Sequence, residues 1–255
     1  MQGRRSPSIW RAWLPLWRRR ELLAGTFLHL GGLLAIALVN GGGYLVVVHV
    51  SGWRGVTTWD PALPLDAAIP ALPWTIAVYV TMYAYFPLPL LAAPRGDRGR
   101  AQLVLAAQAL AIVAWISFAV FLLLPAEIHL REEMRALLSA ETGWVRALFR
   151  WLYAIDEPWN AWPSLHVSQT LLIVLCVQRW SGGVAGRRAW LPAGRARAVA
   201  LALLWTAWSA LALSTLTTRQ HFLVDPATGA LLGAATWRAY LRPALERAET
   251  KGPCG

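Results

Sequence analysis

The sequence predicts an all-α, polytopic membrane protein: a six-transmembrane-helix bundle with both termini cytoplasmic. Apolar residues fill 57% of its 255 positions and charged residues only 15%, a balance foreign to a soluble domain of this length. A membrane-crossing helix needs about 20 mostly apolar residues, and runs of that kind lie near 22–48, 72–93, 101–124, 163–180, 198–217 and 221–241. The basic residues cluster between these runs and not along one face, so the net charge of +11 is read as topology and not as nucleic-acid binding.

The charge asymmetry sets the orientation. Of the 24 basic residues, all but Arg54, Arg131, Arg135, Arg146, Arg150 and Arg219 fall in the N-terminal tail, the second and fourth loops, or the C-terminal tail. The side with the excess is cytoplasmic, so loops one, three and five face outward. The expected location is the cell (inner) membrane with the site facing outward. Oligomeric state is not legible.

Taken in order, "SIWRAWLPLWRRR" (8–20) spaces Trp10, Trp13, Leu14 and Trp17 as one helical face with arginines on the other. Residues 1–21 therefore read as a basic amphipathic segment in the headgroup layer. The run 22–48 is too long for one straight span, and "NGGG" at 40–43 predicts a break. Its basic lead-in resembles a signal peptide, but the apolar stretch exceeds a signal core and lacks a small-x-small exit, so it reads as a retained helix. The proline-rich "DPALPLDAAIPALPW" (60–74) is expected to form an extended or re-entrant cover over the outer face. Residues 22–241 form one membrane domain without internal repeats, and 242–255 a short cytoplasmic tail. Cys176 and Cys254 lie too far apart in sequence to be read as a disulfide or metal framework. The 16 tryptophans fit interfacial belts.

Ionisable residues beside two short apolar runs carry the chemistry. In "WNAWPSLHVSQT" (159–170), Pro163 suits the first turn of a helix and Asn160 a cap, so the backbone N–H groups of that turn and His166 would face a bound anion. In "STLTTRQHFLVDPATGALLG" (214–233), His221 and Asp225 are four apart and share a face if helical. The carboxylate then holds one imidazole nitrogen while the other meets substrate, the arrangement that makes a histidine a nucleophile or base. Arg219 offers a planar fork for phosphate. His29, His49 and His129 read as ordinary interfacial histidines. A metal site from His166, His221 and Asp225, with Asp156 as an optional fourth ligand, is the rival reading. Ser164 and His166, two apart, do not face each other on a helix.

"DEPWNAWPSLHVSQT" followed by "STLTTRQHFLVDPATGALLG" resembles the last two signature motifs of the phosphatidic acid phosphatase type 2 superfamily. The wording is closest to its inositolphosphotransferase branch, which includes inositol phosphorylceramide synthase, and the likeness spans roughly residues 60–240. The resemblance implies a cofactor-free, metal-independent reaction on a lipid phosphate. His221 would form a phosphohistidine, Asp225 would orient it, and His166 would protonate the leaving group. Ser164, Asn160, Asp156, Arg219 and Arg150 are the expected substrate-binding residues.

The sequence departs from the family in three ways. No counterpart of the phosphatases' upstream Lys…Arg-Pro motif is present. Ser214 and Thr215 stand where those enzymes carry a Ser-Arg pair, which leaves Arg219 or Arg150 as the phosphate clamp. Pro226 directly follows Asp225 and disfavours helical geometry there, unless it lies in the first turn. Hydrolysis and transfer to an alcohol acceptor share these residues. The alternative from another class is a lipid or polyprenyl-phosphate carrier that binds without turnover.

Overall fold

The structure, a computed structural model, describes residues 9–14, 17, 37–182 and 194–251. The regular elements among those residues are all helices, with no strand. A π-helical stretch, Ala37–Gly42, opens into α1 (Gly43–Arg54). The glycine-rich segment thus widens the helix instead of breaking it as expected. Gly43 lies against Phe118, where a Cβ would come within 3.1 Å of the ring, so the small residues there allow close packing. Most of the expected N-terminal interfacial segment lies outside the described residues; Arg11–Trp13 form one 3-10 turn.

A single span was expected over 72–93, but the structure divides it into α3 (Ile76–Tyr79), α4 (Met82–Tyr85) and α5 (Leu88–Ala92), preceded by α2 (Pro64–Ala68) in the loop before it. The ladder tightens between the pieces, with Thr81 N–H donating to the Val78 carbonyl and Ala84 N–H to the Thr81 carbonyl. Pro87 and Pro89 bring no N–H to continue it.

Among the described residues, two helices are long and apolar enough to cross a membrane: α6 (Asp97–Leu123) and, later in the chain, α10 (Arg195–Thr217). They differ in surroundings. Most of α6 is buried, whereas α10 exposes Val199, Leu203 and Leu213. Between them lie the amphipathic α7 (Arg131–Leu138) and α8 (Gly143–Ile155), then α9 (Leu165–Ser181).

The chain closes with α11 (Val224–Thr236), a π-helical turn (Trp237–Leu241) and α12 (Arg242–Lys251). The segment expected as a cytoplasmic tail is thus the continuation of the last helix. Ala244, Leu245 and Ala248 are buried in the main core beside Leu105, Ala109, Ile173 and Trp180, and Glu249 pairs with Arg179 at 2.8 Å. Apolar residues at that spacing on a charged segment give it a face to bury.

The packing of α9 on α11 positions everything that follows. Gly229 and Gly233, four apart, lie on one face of α11. A Cβ on Gly229 would fall 2.5 Å from the Ser164 carbonyl oxygen, and one on Gly233 2.9 Å from that of Ser168. Only glycine lets the two backbones approach so closely.

Candidate active site

The turn joining α10 to α11 carries His221. Helix α10 ends as Arg219 enters the left-handed region (φ 56°), and the N–H groups of Gln220 and His221 both return to the Thr215 carbonyl at 3.1 Å. A non-glycine residue there costs about 1 kcal/mol or more. The conformation is held by tertiary bonds: Arg219 donates to the Asp66 carbonyl at 2.7 Å and pairs with Glu133 at 2.8 Å. Phe222, fully buried against Ala126, Ile128 and Ala161, pins the other side of the turn.

His221 and Asp225 meet, though not on one helical face as expected, since α11 begins only at Val224. Asp225 sits in its first turn and reaches back. Oδ2 accepts from Phe222 N–H at 2.8 Å and lies 3.1 Å from His221 Nδ1. Pro226 therefore falls where a missing N–H costs nothing, and the pairing is not bent. The carboxylate is fully buried.

Across from this turn, α9 begins at Leu165 with Ser164 as its N-cap residue. Pro163 thus precedes the helix instead of forming its first turn, and Asn160 is not its cap. Ser164 N–H donates to the Asp225 carbonyl at 3.0 Å, and its Oγ lies 3.4 Å from His221 Nε2. His166, in the first turn, brings Nδ1 to 3.2 Å from His221 Nε2. Its other nitrogen, Nε2, lies 2.8 Å from the hydroxyl of Tyr79 on α3.

Chemistry assigns the hydrogens along this row. His221 Nδ1 is 3.0 Å from the Ala161 carbonyl oxygen, which can only accept, so Nδ1 carries the hydrogen. With both rings neutral, His221 Nε2 accepts from His166 Nδ1–H, and His166 Nε2 accepts from Tyr79. The result is a directed chain, Tyr79 to His166 to His221 to Asp225. It aims one bare imidazole lone pair and one N–H at a common point.

Asp156 and Asn160 belong to a second network. Arg131, 2% exposed, donates to the Asp156 carbonyl at 2.7 Å and pairs with its Oδ2 at 2.6 Å. Asn160 donates to Asp156 Oδ1 at 2.7 Å, and Tyr44 bridges the two. Burial disfavours the guanidinium charge, but Asp156, with Tyr79 and Tyr44 beside it, outweighs this and raises the Arg131 pKa. Among the described residues, Arg131 Nε has no hydrogen-bond partner.

The remaining site expectations fall elsewhere. Arg219 is tied to Asp66 and Glu133, so its fork is already occupied. Arg150 is exposed on α8 and makes no hydrogen bond to either histidine. Asp156, the optional fourth member of the rival metal reading, is paired with Arg131. Among the described residues, no three His, Cys, Asp or Glu side chains are grouped to hold a metal ion. His49 bonds its own helix through the Leu45 carbonyl, His129 stacks on Phe222, and His29 lies outside the described residues.

Sequence reasoning missed Tyr79, Arg131 and Asp66. The Asp66 carboxylate, 2% exposed, accepts from Leu223 N–H and from Leu63 N–H, both at 2.7 Å. The proline-rich loop is thereby fastened onto the histidine turn, and Leu72 N–H adds a 2.8 Å bond to the Thr217 carbonyl.

No protein-family model, curated protein or solved structure matches this chain.

Proposed function

We propose that the chain is an integral membrane enzyme that removes or transfers a phosphoryl group on a lipid phosphate, in the manner of the phosphatidic acid phosphatase type 2 superfamily. In this reading the helices make six spans with both termini cytoplasmic, and the site faces outward at the cell membrane. The observation that carries it is the 3.2 Å approach of His166 Nδ1 to His221 Nε2, each ring braced from behind by Tyr79 or Asp225.

The chemistry follows from that bracing. A phosphoryl group takes the place of the hydrogen bond between the rings. His221 Nε2 attacks phosphorus, a nitrogen–phosphorus bond forms, and the bond to the leaving oxygen breaks. His166, as the imidazolium, gives its Nδ1 proton to that oxygen and becomes neutral. It retains the Nε2 hydrogen, which the Tyr79 oxygen accepts. Water or an alcohol then attacks the phosphohistidine, delivers its proton to His166 Nδ1 and frees His221. A hydroxyl donates or accepts as required, so Tyr79 orients His166 in both charge states.

Asp225 supports the positive charge that develops on His221 and holds Nδ1 away from phosphorus. Arg131, the buried cation near Tyr79 with an unpartnered Nε, is better placed than Arg219 to lend positive potential to the phosphate.

The test is turnover of a panel of lipid phosphates by purified protein in detergent, with and without a chelator. Wild-type protein should release or transfer phosphate in both conditions, and His221→Ala should lose at least about 1000-fold. Undiminished turnover in His221→Ala would sink the proposal. No turnover of any substrate would favour the carrier reading, and loss of activity with the chelator the metal-dependent one.

A further inference from the structure

Arg150 poses a question that the histidine pair does not answer. Helix α8 has three faces. Val145, Phe149 and Leu152 are buried, whereas Trp144, Leu148 and Trp151 form an apolar stripe that is exposed or half-buried, with Trp151 edge-on to Tyr83 at 5.5 Å. Arg146 and Arg150, four residues apart and both exposed, lie on the face opposite the tryptophans. On a helix resting at a membrane surface the tryptophans sink toward hydrocarbon. The arginines then point to the aqueous side.

There they line a cleft of about 540 Å³ with Arg135 of α7, over a floor of Leu138 and Phe149 and beside Tyr153. The cleft is shallow and open on one side. No Asp or Glu lines it. Among the described residues, neither Arg146 nor Arg150 has an ion-pair partner. Arg135 lies 5.4 Å from the centre of the Tyr153 ring, which also bears Arg131 at 5.5 Å. Three arginines thus border one cleft whose lining holds no carboxylate, and the planar fork of a guanidinium matches phosphate oxygens.

We propose that this cleft is a phosphate-binding site distinct from the histidine pair, taking the phosphate of a soluble ester or of a lipid headgroup. It does not depend on turnover. It is nevertheless wired to the histidine turn: Gln220, the neighbour of His221, donates to the Tyr153 hydroxyl at 3.4 Å. Tyr153, which borders the cleft, is therefore joined by one hydrogen bond to the residue beside His221.

Binding is measured by calorimetry on the full-length protein in uncharged detergent. Inorganic phosphate is one probe and short-chain phosphatidic acid the other, each in wild-type, His221→Ala and Arg146→Gln/Arg150→Gln proteins, with Arg98→Gln as a charge control remote in sequence. Both cleft arginines are exposed, so the double variant should keep the wild-type melting temperature. The expected result is saturable binding that survives His221→Ala and Arg98→Gln but weakens at least about tenfold in the double variant, the equivalent of one lost charge-assisted bond. Tighter binding of phosphatidic acid, in competition with phosphate, identifies a lipid headgroup; phosphate binding without that preference identifies a soluble ester. Wild-type affinity in the double variant, or no saturable binding by either probe, overturns the proposal. If binding vanishes in His221→Ala but survives in the double variant, the anion sits at the histidine pair, and the cleft site fails while phosphoryl transfer stands.

Discussion

The hydroxyl of Tyr79 stands 2.8 Å from Nε2 of His166, whose other ring nitrogen lies 3.2 Å from His221. Tyr79 is 1% exposed and packs with Ile76, Met134 and Phe149, so its ring is locked by apolar neighbours and its one polar atom by the imidazole. Tyr79→Phe keeps the ring and removes the hydroxyl. Expected is a fall in kcat of about tenfold, the worth of one hydrogen bond, with little change in melting temperature. An unchanged kcat would show that His166 needs no support from Tyr79.

Asp225→Asn tests the other end of the chain. The amide oxygen can still accept from Phe222 N–H, so the turn should fold, but the charge opposite His221 Nδ1 is gone. Turnover should drop by roughly 100-fold or more, with substrate affinity largely retained. A loss confined to KM would instead mark Asp225 as a binding residue.

Arg131 and Asp156 are buried together, and removing one charge strands the other. Arg131→Met should destabilise the protein by about 3–5 kcal/mol, and Arg131→Met/Asp156→Asn should recover much of that loss. Thermal unfolding in detergent reads both. Equal instability of the single and double variants would mean that the pair contributes through shape and not through charge.

Gly229→Ala places a methyl group where the Ser164 carbonyl oxygen already lies. Separating α9 from α11 should cost about 1–3 kcal/mol. It should also cut activity beyond what the stability loss explains, because the same contact sets the distance between the two histidines. Wild-type activity in Gly229→Ala would show that the histidine spacing tolerates a shift of these helices.

How much of this was legible in the sequence depended on whether the information was local. The long apolar runs of α6 and α10 stand out by composition, and their bounds fall within a few residues of the expected 101–124 and 198–217. His166, His221 and Asp225 stood out because ionisable groups beside apolar runs are costly, and the structure brings the three side chains together. Tyr79 looked like any aromatic in an apolar run, since its partner lies 87 residues away. Arg219 looked like a free cation because the chain does not announce that Glu133, 86 residues earlier, will take its charge. Asp66 gave no local sign of contacts spanning more than 150 residues. The packing of the C-terminal segment on the core went unread because a charged segment conceals a three-residue apolar face as readily as it displays its arginines.

Asp66 has one more consequence. Its two carboxylate oxygens and its backbone carbonyl close three bonds at once: to the start of its own short helix, to Leu223 and to Arg219. The proline-rich loop, which by composition is the segment most inviting to insertion or exchange, is thus stitched to the histidine turn chiefly through Asp66, with Leu72 adding one bond to Thr217. Grafting a foreign loop there would also unfasten the turn that carries His221. Any redesign of what this protein admits must therefore keep an acid at position 66 or rebuild the turn beneath it.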